Sequence, residues 1–154
     1  MEKRNGLSFN CAESVILQVN DEVPLSGFDD SHMRIASVLG GGIAGCGEVC
    51  GAVSGGVVCI GLMFGSEGNE SEEQFRLRRE HARGLVGELI EAFEQAWGAT
   101  ECETLRAMDE GKSEPRGDLR TESPKNLCDE YVKWSSRRVR DILKNALSDG
   151  KIEV

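Results

Sequence analysis

The sequence predicts an all-α fold: a single-domain helical bundle of about five to six helices around a glycine- and cysteine-rich central segment. Three observations lead there. Apolar residues recur at helical spacing in long windows, most clearly Phe75, Ala82, Val86, Leu89, Phe93 and Ala96, which keep to one helix face. Tetrapeptides with the form of a capping box precede helical patterns, at Asn10–Glu13, Ser71–Gln74 and Thr100–Glu103. The stretch Gly40–Gly65, GGGIAGCGEVCGAVSGGVVCIGLMFG, gathers glycine with Cys46, Cys50 and Cys59 and carries a single carboxylate, Glu48. Glycine loses more entropy on folding than any other residue, so clustering it implies a demand for special backbone geometry or close approach.

Composition sets the bounds. One domain over residues 1–154, with its core in about 8–147, fits the length of 154, and 39% hydrophobic with only 5% aromatic residues describes a core of small aliphatics. The net charge of −9 argues against nucleic-acid and anionic-membrane surfaces, which require a basic patch. No basic stretch leads into an apolar run as in a signal peptide, and the longest uncharged run, Val49–Phe64, falls short of the ~20 residues of a membrane span. The expectation is a cytoplasmic chain. Disulfides are rare in that compartment, so six cysteines read as metal-binding or redox-active.

Met1–Asn10 is polar. Asn10 caps a first helix through about Val19, with Cys11, Val15 and Val19 on one face. Asn20–Phe28, with Pro24 and Gly27, is a loop. Asp29 or Asp30 caps a second short helix through Leu39, stopped by Gly40–Gly42. A third starts near Gly47 or Glu48, with Cys50, Val53, Val57, Ile60 and Phe64 as one stripe and Gly51, Gly55 and Cys59 as a second, small-residue face. Val57–Phe64 is short enough that a strand is the alternative. The strongest helix opens at Ser71 and runs to Trp97, roughly 40 Å, where Gly98 ends it. Thr100–Glu103 begins a short helix, Asp109–Ser123 is an exposed loop, and a last helix spans about Pro124 to Leu147, with Cys128, Val132, Val139, Ile142 and Ala146 inward.

Cys11, Cys50, Cys102 and Cys128 thus each fall within the first turn or so of a helix, where free N–H groups and the helix dipole stabilise a thiolate. Four inward thiolates at helix starts suit an anionic four-thiolate metal centre. A lone cysteine on an apolar face is otherwise a small core residue, and Cys59, backed by Gly51 and Gly55, reads that way. Cys59 also lies about 13 Å along the axis from Cys50 and cannot share an ion with it. Gly40, Gly42 and Gly45 spell G-x-G-x-x-G, but no alternation of strands and helices follows. His32 and His81 lack partners at metal spacing, and His81, among Arg78, Arg79 and Arg83, reads as solvated. Ser54 has no base partner.

These residues resemble the redox-active bacterial and archaeal proteins of the C_GCAxxG_C_C family. The resemblance rests on Cys50-Gly51-Ala52-Val53-Ser54-Gly55, of the form CGAxxG, on GGGIAGCGEV before it, and on NCAES at Asn10–Ser14. Cys102, ending WGATEC, and Cys128 match by position. It covers about residues 8–146 and implies a small helical protein with a redox or iron–sulfur role. The four shared cysteines would be Cys11, Cys50, Cys102 and Cys128, with Cys46 and Cys59 outside the set.

Together, the helix starts and the resemblance lead to a redox or electron-transfer module binding an iron–sulfur cluster, most simply 2Fe–2S, through those four thiols. N–H groups of the glycine turn, at Gly45 and Gly47, and of Gly51 would stabilise its charge, and Cys46 is a candidate additional redox thiol. The alternatives are a structural zinc site in an interaction module, and metal-free thiol–disulfide chemistry with a thiolate pKa well below ~8.5. A redox partner protein would present a basic patch, and a homo-oligomer is left open.

Overall fold

In the computed structural model, which describes residues 1–121 and 124–150, the chain is all-α apart from a small hairpin. The hairpin pairs β1 (Lys3–Arg4) with β2 (Leu7–Ser8) through Asn5-Gly6. Both turn residues have positive φ, 51° and 77°, as a tight two-residue turn requires. Asn5-Gly6 carries that signal within a segment that is otherwise simply polar.

Helix α1 (Cys11–Glu22) begins with the expected box: Asn10 accepts from the Glu13 N–H, and Glu13 accepts from the Asn10 N–H. It runs three residues past Val19, burying Ala12, Val15, Ile16 and Val19. Helix α2 (Asp30–Ala36) is capped by Asp29, with His32 accepting from the Asp29 N–H at 3.0 Å, so that histidine is a capping residue. It ends short of Leu39, in turns that lead to five successive positive-φ residues, Gly41–Gly45. Ile43 and Ala44 belong to that left-handed run, at a cost of about 1–2 kcal/mol each.

Helix α3 (Gly51–Phe64) is the centre of the bundle and packs against α1, α4 (Glu72–Trp97) and α6 (Cys128–Asp149). It is apolar around most of its circumference, as a helix surrounded by others must be. The strand alternative for Val57–Phe64 does not form, nor does a dinucleotide fold around Gly40–Gly45. Its glycines set the helix spacing. A Cβ on Gly51 would lie 2.7 Å from the Cys11 Cβ, one on Gly55 2.6 Å from the Ala12 carbonyl oxygen, and one on Gly56 2.7 Å from Leu89 of α4. Gly61, by contrast, faces open space on the same helix. Gly61→Ala should therefore recover helix propensity without a clash, about 0.5–1 kcal/mol of stability; a melting temperature raised by about 2 °C checks this.

Helix α4 has its Ser71 cap and ends at Gly98, in left-handed conformation at φ 90°. Against it lie Tyr131 and Trp134 of α6, edge to face with Phe93 at ring separations of 5.8 and 5.6 Å. His81 is half-buried rather than solvated: its ring stands edge-on to Phe64 at 5.2 Å, and Nε2 has no hydrogen-bond partner among the described residues.

Three boundaries differ from expectation for one reason, pairing between distant segments. Gly47–Val49 is not the first turn of α3: Gly47 sits in a bend at φ 78°, and Val49 bridges Glu101 antiparallel. Thr100 accordingly does not cap α5 (Cys102–Asp109): its carbonyl accepts the Cys50 N–H at 2.8 Å, and Glu101 takes the cap position without a side-chain bond. Helix α6 starts at Cys128, not Pro124, because the Asn126 side chain and Asp109 hold the preceding turn. The 109–121 loop is mostly exposed, yet Asp109 and the Arg120 side chain are buried in it. Ser123 and everything after Gly150 lie outside the described residues.

Candidate metal centre

Each of the four singled-out cysteines stands at a helix start. Cys11, Cys102 and Cys128 are the first residues of α1, α5 and α6, and Cys50 is the N-cap of α3. A local capping box sets the start of α1, whereas pairing between distant segments shapes the other three starts and brings all four together. Beside the Val49–Glu101 bridge, Cys102 N–H donates to Glu48 at 2.7 Å and Glu103 N–H to Gly47 at 3.0 Å, which sets Cys50 beside Cys102. Gly51 lets α3 close onto Cys11. Gly42 does the same for the glycine turn against α5, since a Cβ there would lie 2.7 Å from the Cys102 Cβ.

All four cysteines line one small cavity of about 20 Å³, together with Gly51, Ala52, Leu105, Arg106, Asp109 and Tyr131. That is room for a water-sized group at its centre. Cys50 is buried and the other three are half-buried. The exposed Arg106 donates to the Cys102 sulfur at 3.3 Å, giving that thiol a cationic neighbour. Four soft sulfur donors on one apolar-walled cavity are the donor set of an iron–sulfur or thiolate-zinc centre. Among the described residues, no three His, Cys, Asp or Glu side chains are grouped so as to hold a metal ion.

Placement at a helix start does not make Cys11, Cys50 or Cys128 acidic. Burial pushes Cys50 up to about 12, against the opposing pull of the Ala52 and Val53 N–H groups, and the neighbouring Cys11 and Cys102 add to the rise. Burial likewise raises Cys128 to about 11, with Cys11 and Asp109 contributing. Cys11 is raised by burial despite the Gly41 N–H. The expectation of depressed thiol pKa values therefore fails for these three, because loss of water outweighs the helix dipole. At neutral pH they are thiols, and a metal must displace their protons to bind.

The remaining expectations divide. Gly51 lies on the cavity wall; Gly45 and Gly47 instead line a separate surface depression with Cys46, Glu103 and Arg106. The glycine turn reaches the thiols through Gly41 and Gly42. Cys46 is exposed and away from the cavity, and Cys59 is fully buried in the core of α3. Sequence reasoning missed Arg106, Asp109, Arg120 and Tyr131. Arg106 follows Cys102 by one helical turn, a spacing that could have drawn notice; the other three had no local signal.

Among the described residues, no helix is long and apolar enough to cross a membrane. Neither curated proteins nor solved structures yield a match to the chain. A family model does match, over residues 9–142, and its description reads "Putative redox-active protein (C_GCAxxG_C_C)". With four cysteines at four helix starts and most of its length matched by that model, the chain belongs to the C_GCAxxG_C_C family of redox-active proteins.

Proposed function

We propose that the protein is an electron-transfer module that holds an iron–sulfur cluster, most simply 2Fe–2S, on Cys11, Cys50, Cys102 and Cys128. The observation that carries this reading is the convergence of four thiols from four helix starts on one cavity. A two-iron core is the simpler choice because so small a cavity must open less to seat it. Such a cluster supplies one-electron chemistry. The chain's own residues would hold it, exclude water through Ala52 and Leu105, and set its potential through Arg106 and the Gly41 amide. A protein partner with a basic patch suits the net charge of −9. Setting is part of the proposal too: free thiols in this number belong in a reducing compartment such as the cytoplasm.

Protein purified or reconstituted anaerobically should be brown, with charge-transfer absorption and acid-labile sulfide. A colourless, iron-free product after reconstitution contradicts the proposal, and stoichiometric zinc without iron would assign the same thiols to a structural site.

A further inference from the structure

The proposed centre draws two of its thiols from segments that no motif connects, Cys102 and Cys128, and α5 lies between them. Cys102 opens that helix and Asp109 closes it. Asp109 is buried and has a complete set of partners. Its Oδ2 accepts the Leu127 N–H at 3.2 Å, its Oδ1 accepts the Tyr131 hydroxyl at 2.6 Å, and Arg120 donates to Oδ1 at 2.6 Å. Arg120 is held in turn by the Trp97 carbonyl at 2.9 Å, and only 3% of its side chain is exposed. Leu127 is the N-cap of α6 and has no capping side chain of its own. A carboxylate from another helix therefore supplies the hydrogen bond at the residue immediately before Cys128.

We infer that Asp109 is the positioning residue for Cys128: by capping α6 from the end of α5 it fixes that thiol in register with Cys102 on the cavity wall. This goes beyond the cluster assignment and rests on it only for the purpose the register serves. An ion pair buried this deeply is costly to desolvate and adds little net stability over apolar packing, so its worth lies in specifying an arrangement. Arg120 is then the counter-charge that allows the carboxylate to be buried, and Tyr131, whose hydroxyl burial and Asp109 keep protonated, ties the same carboxylate to the next turn of α6.

The test uses full-length, reduced, metal-free protein, so it does not depend on iron being the ligand. Asp109→Ala combined with Arg120→Met removes the Asp109–Leu127 bond without stranding a buried charge; its counterpart, Asp109→Asn combined with Arg120→Met, is equally neutral and keeps a side-chain oxygen that can accept the Leu127 N–H. Alkylation with iodoacetamide, read peptide by peptide, should label Cys128 at least tenfold faster in the double variant than in its Asp109→Asn counterpart, with Cys11 and Cys50 unchanged. Equal Cys128 rates in the two variants overturn the inference. So does acceleration of all the thiols together, which is the mark of a merely structural residue. Wild-type hydrogen exchange decides the matter even if the double variant does not fold. The Leu127 amide should exchange at least a hundredfold more slowly than that of Asn126, and equal exchange overturns the inference. A chain that passes these tests yet never takes up iron would refute the cluster and leave the positioning role standing.

Discussion

Replacing Cys50 with serine is expected to abolish tight metal binding while leaving the fold intact. Serine's hydroxyl is a harder and far less acidic ligand than a thiol, and it would stand in the most buried of the four positions. The variant should fold because Cys50 occupies the N-cap of α3, where it makes no side-chain capping bond. Serine is a preferred residue there, and its hydroxyl can accept from the first free N–H groups of the helix. Iron and sulfide should fall to background while the circular dichroism spectrum and melting temperature of the metal-free protein hold. Cys59→Ala is the paired control. Removing that buried sulfur leaves a small cavity, costs about 1 kcal/mol, and should leave metal content unchanged. Loss of metal in Cys59→Ala with retention in Cys50→Ser would reverse the assignment.

The largest effect on stability is expected from Gly55→Ala, although alanine is the better helix former. The added Cβ would lie 2.6 Å from the Ala12 carbonyl oxygen and 2.9 Å from the Ala12 Cα, and both belong to the backbone of α1. No rotamer change relieves such a contact, so α1 and α3 must move apart. Overpacking of this kind costs about 3 kcal/mol, against which helix propensity returns about 1. A melting temperature lower by about 4–8 °C is expected, in contrast to the rise for Gly61→Ala, less than two turns further along the same helix. The displacement also pulls Cys11 away from Gly51, so metal content should fall with stability. If Gly55→Ala and Gly61→Ala shift the melting temperature in the same direction, the close α1–α3 contact is not what the glycine provides.

The features legible in the sequence are those decided within one or two turns of chain. Asn10 and Glu13 cap α1 reciprocally because the bond needs only residues three apart, and Gly98 stops α4 because a left-handed residue can end a helix without outside help. Local patterns placed all four cysteines near helix starts, but only Cys11 follows a side-chain capping box that sets one. They could not specify that Cys50 and Cys102 become neighbours, because that depends on Val49 meeting Glu101 across the whole of α3 and α4. The same long-range pairing moved the start of α3 from Gly47 or Glu48 to Gly51 and denied Thr100 its cap. Acidity was misjudged for a related reason. The helix dipole can be read from position, but desolvation depends on which walls close over the sulfur, and at Cys50 those walls win. Asp109 and Arg120 looked like residues of a charged loop, and only the folded chain makes them a buried pair.

The central claim is that Cys11, Cys50, Cys102 and Cys128 act together on one bound group. The most direct measurement is alkylation of each cysteine, resolved by peptide, before and after anaerobic loading with iron and sulfide. Cys46, exposed and off the cavity wall, serves as an internal standard. Loading should protect Cys11, Cys50, Cys102 and Cys128 to the same extent and at the same iron stoichiometry, while Cys46 is labelled as before. Uptake of iron and sulfide with Cys102 or Cys128 still freely alkylated, or with Cys46 protected in their place, would contradict the account.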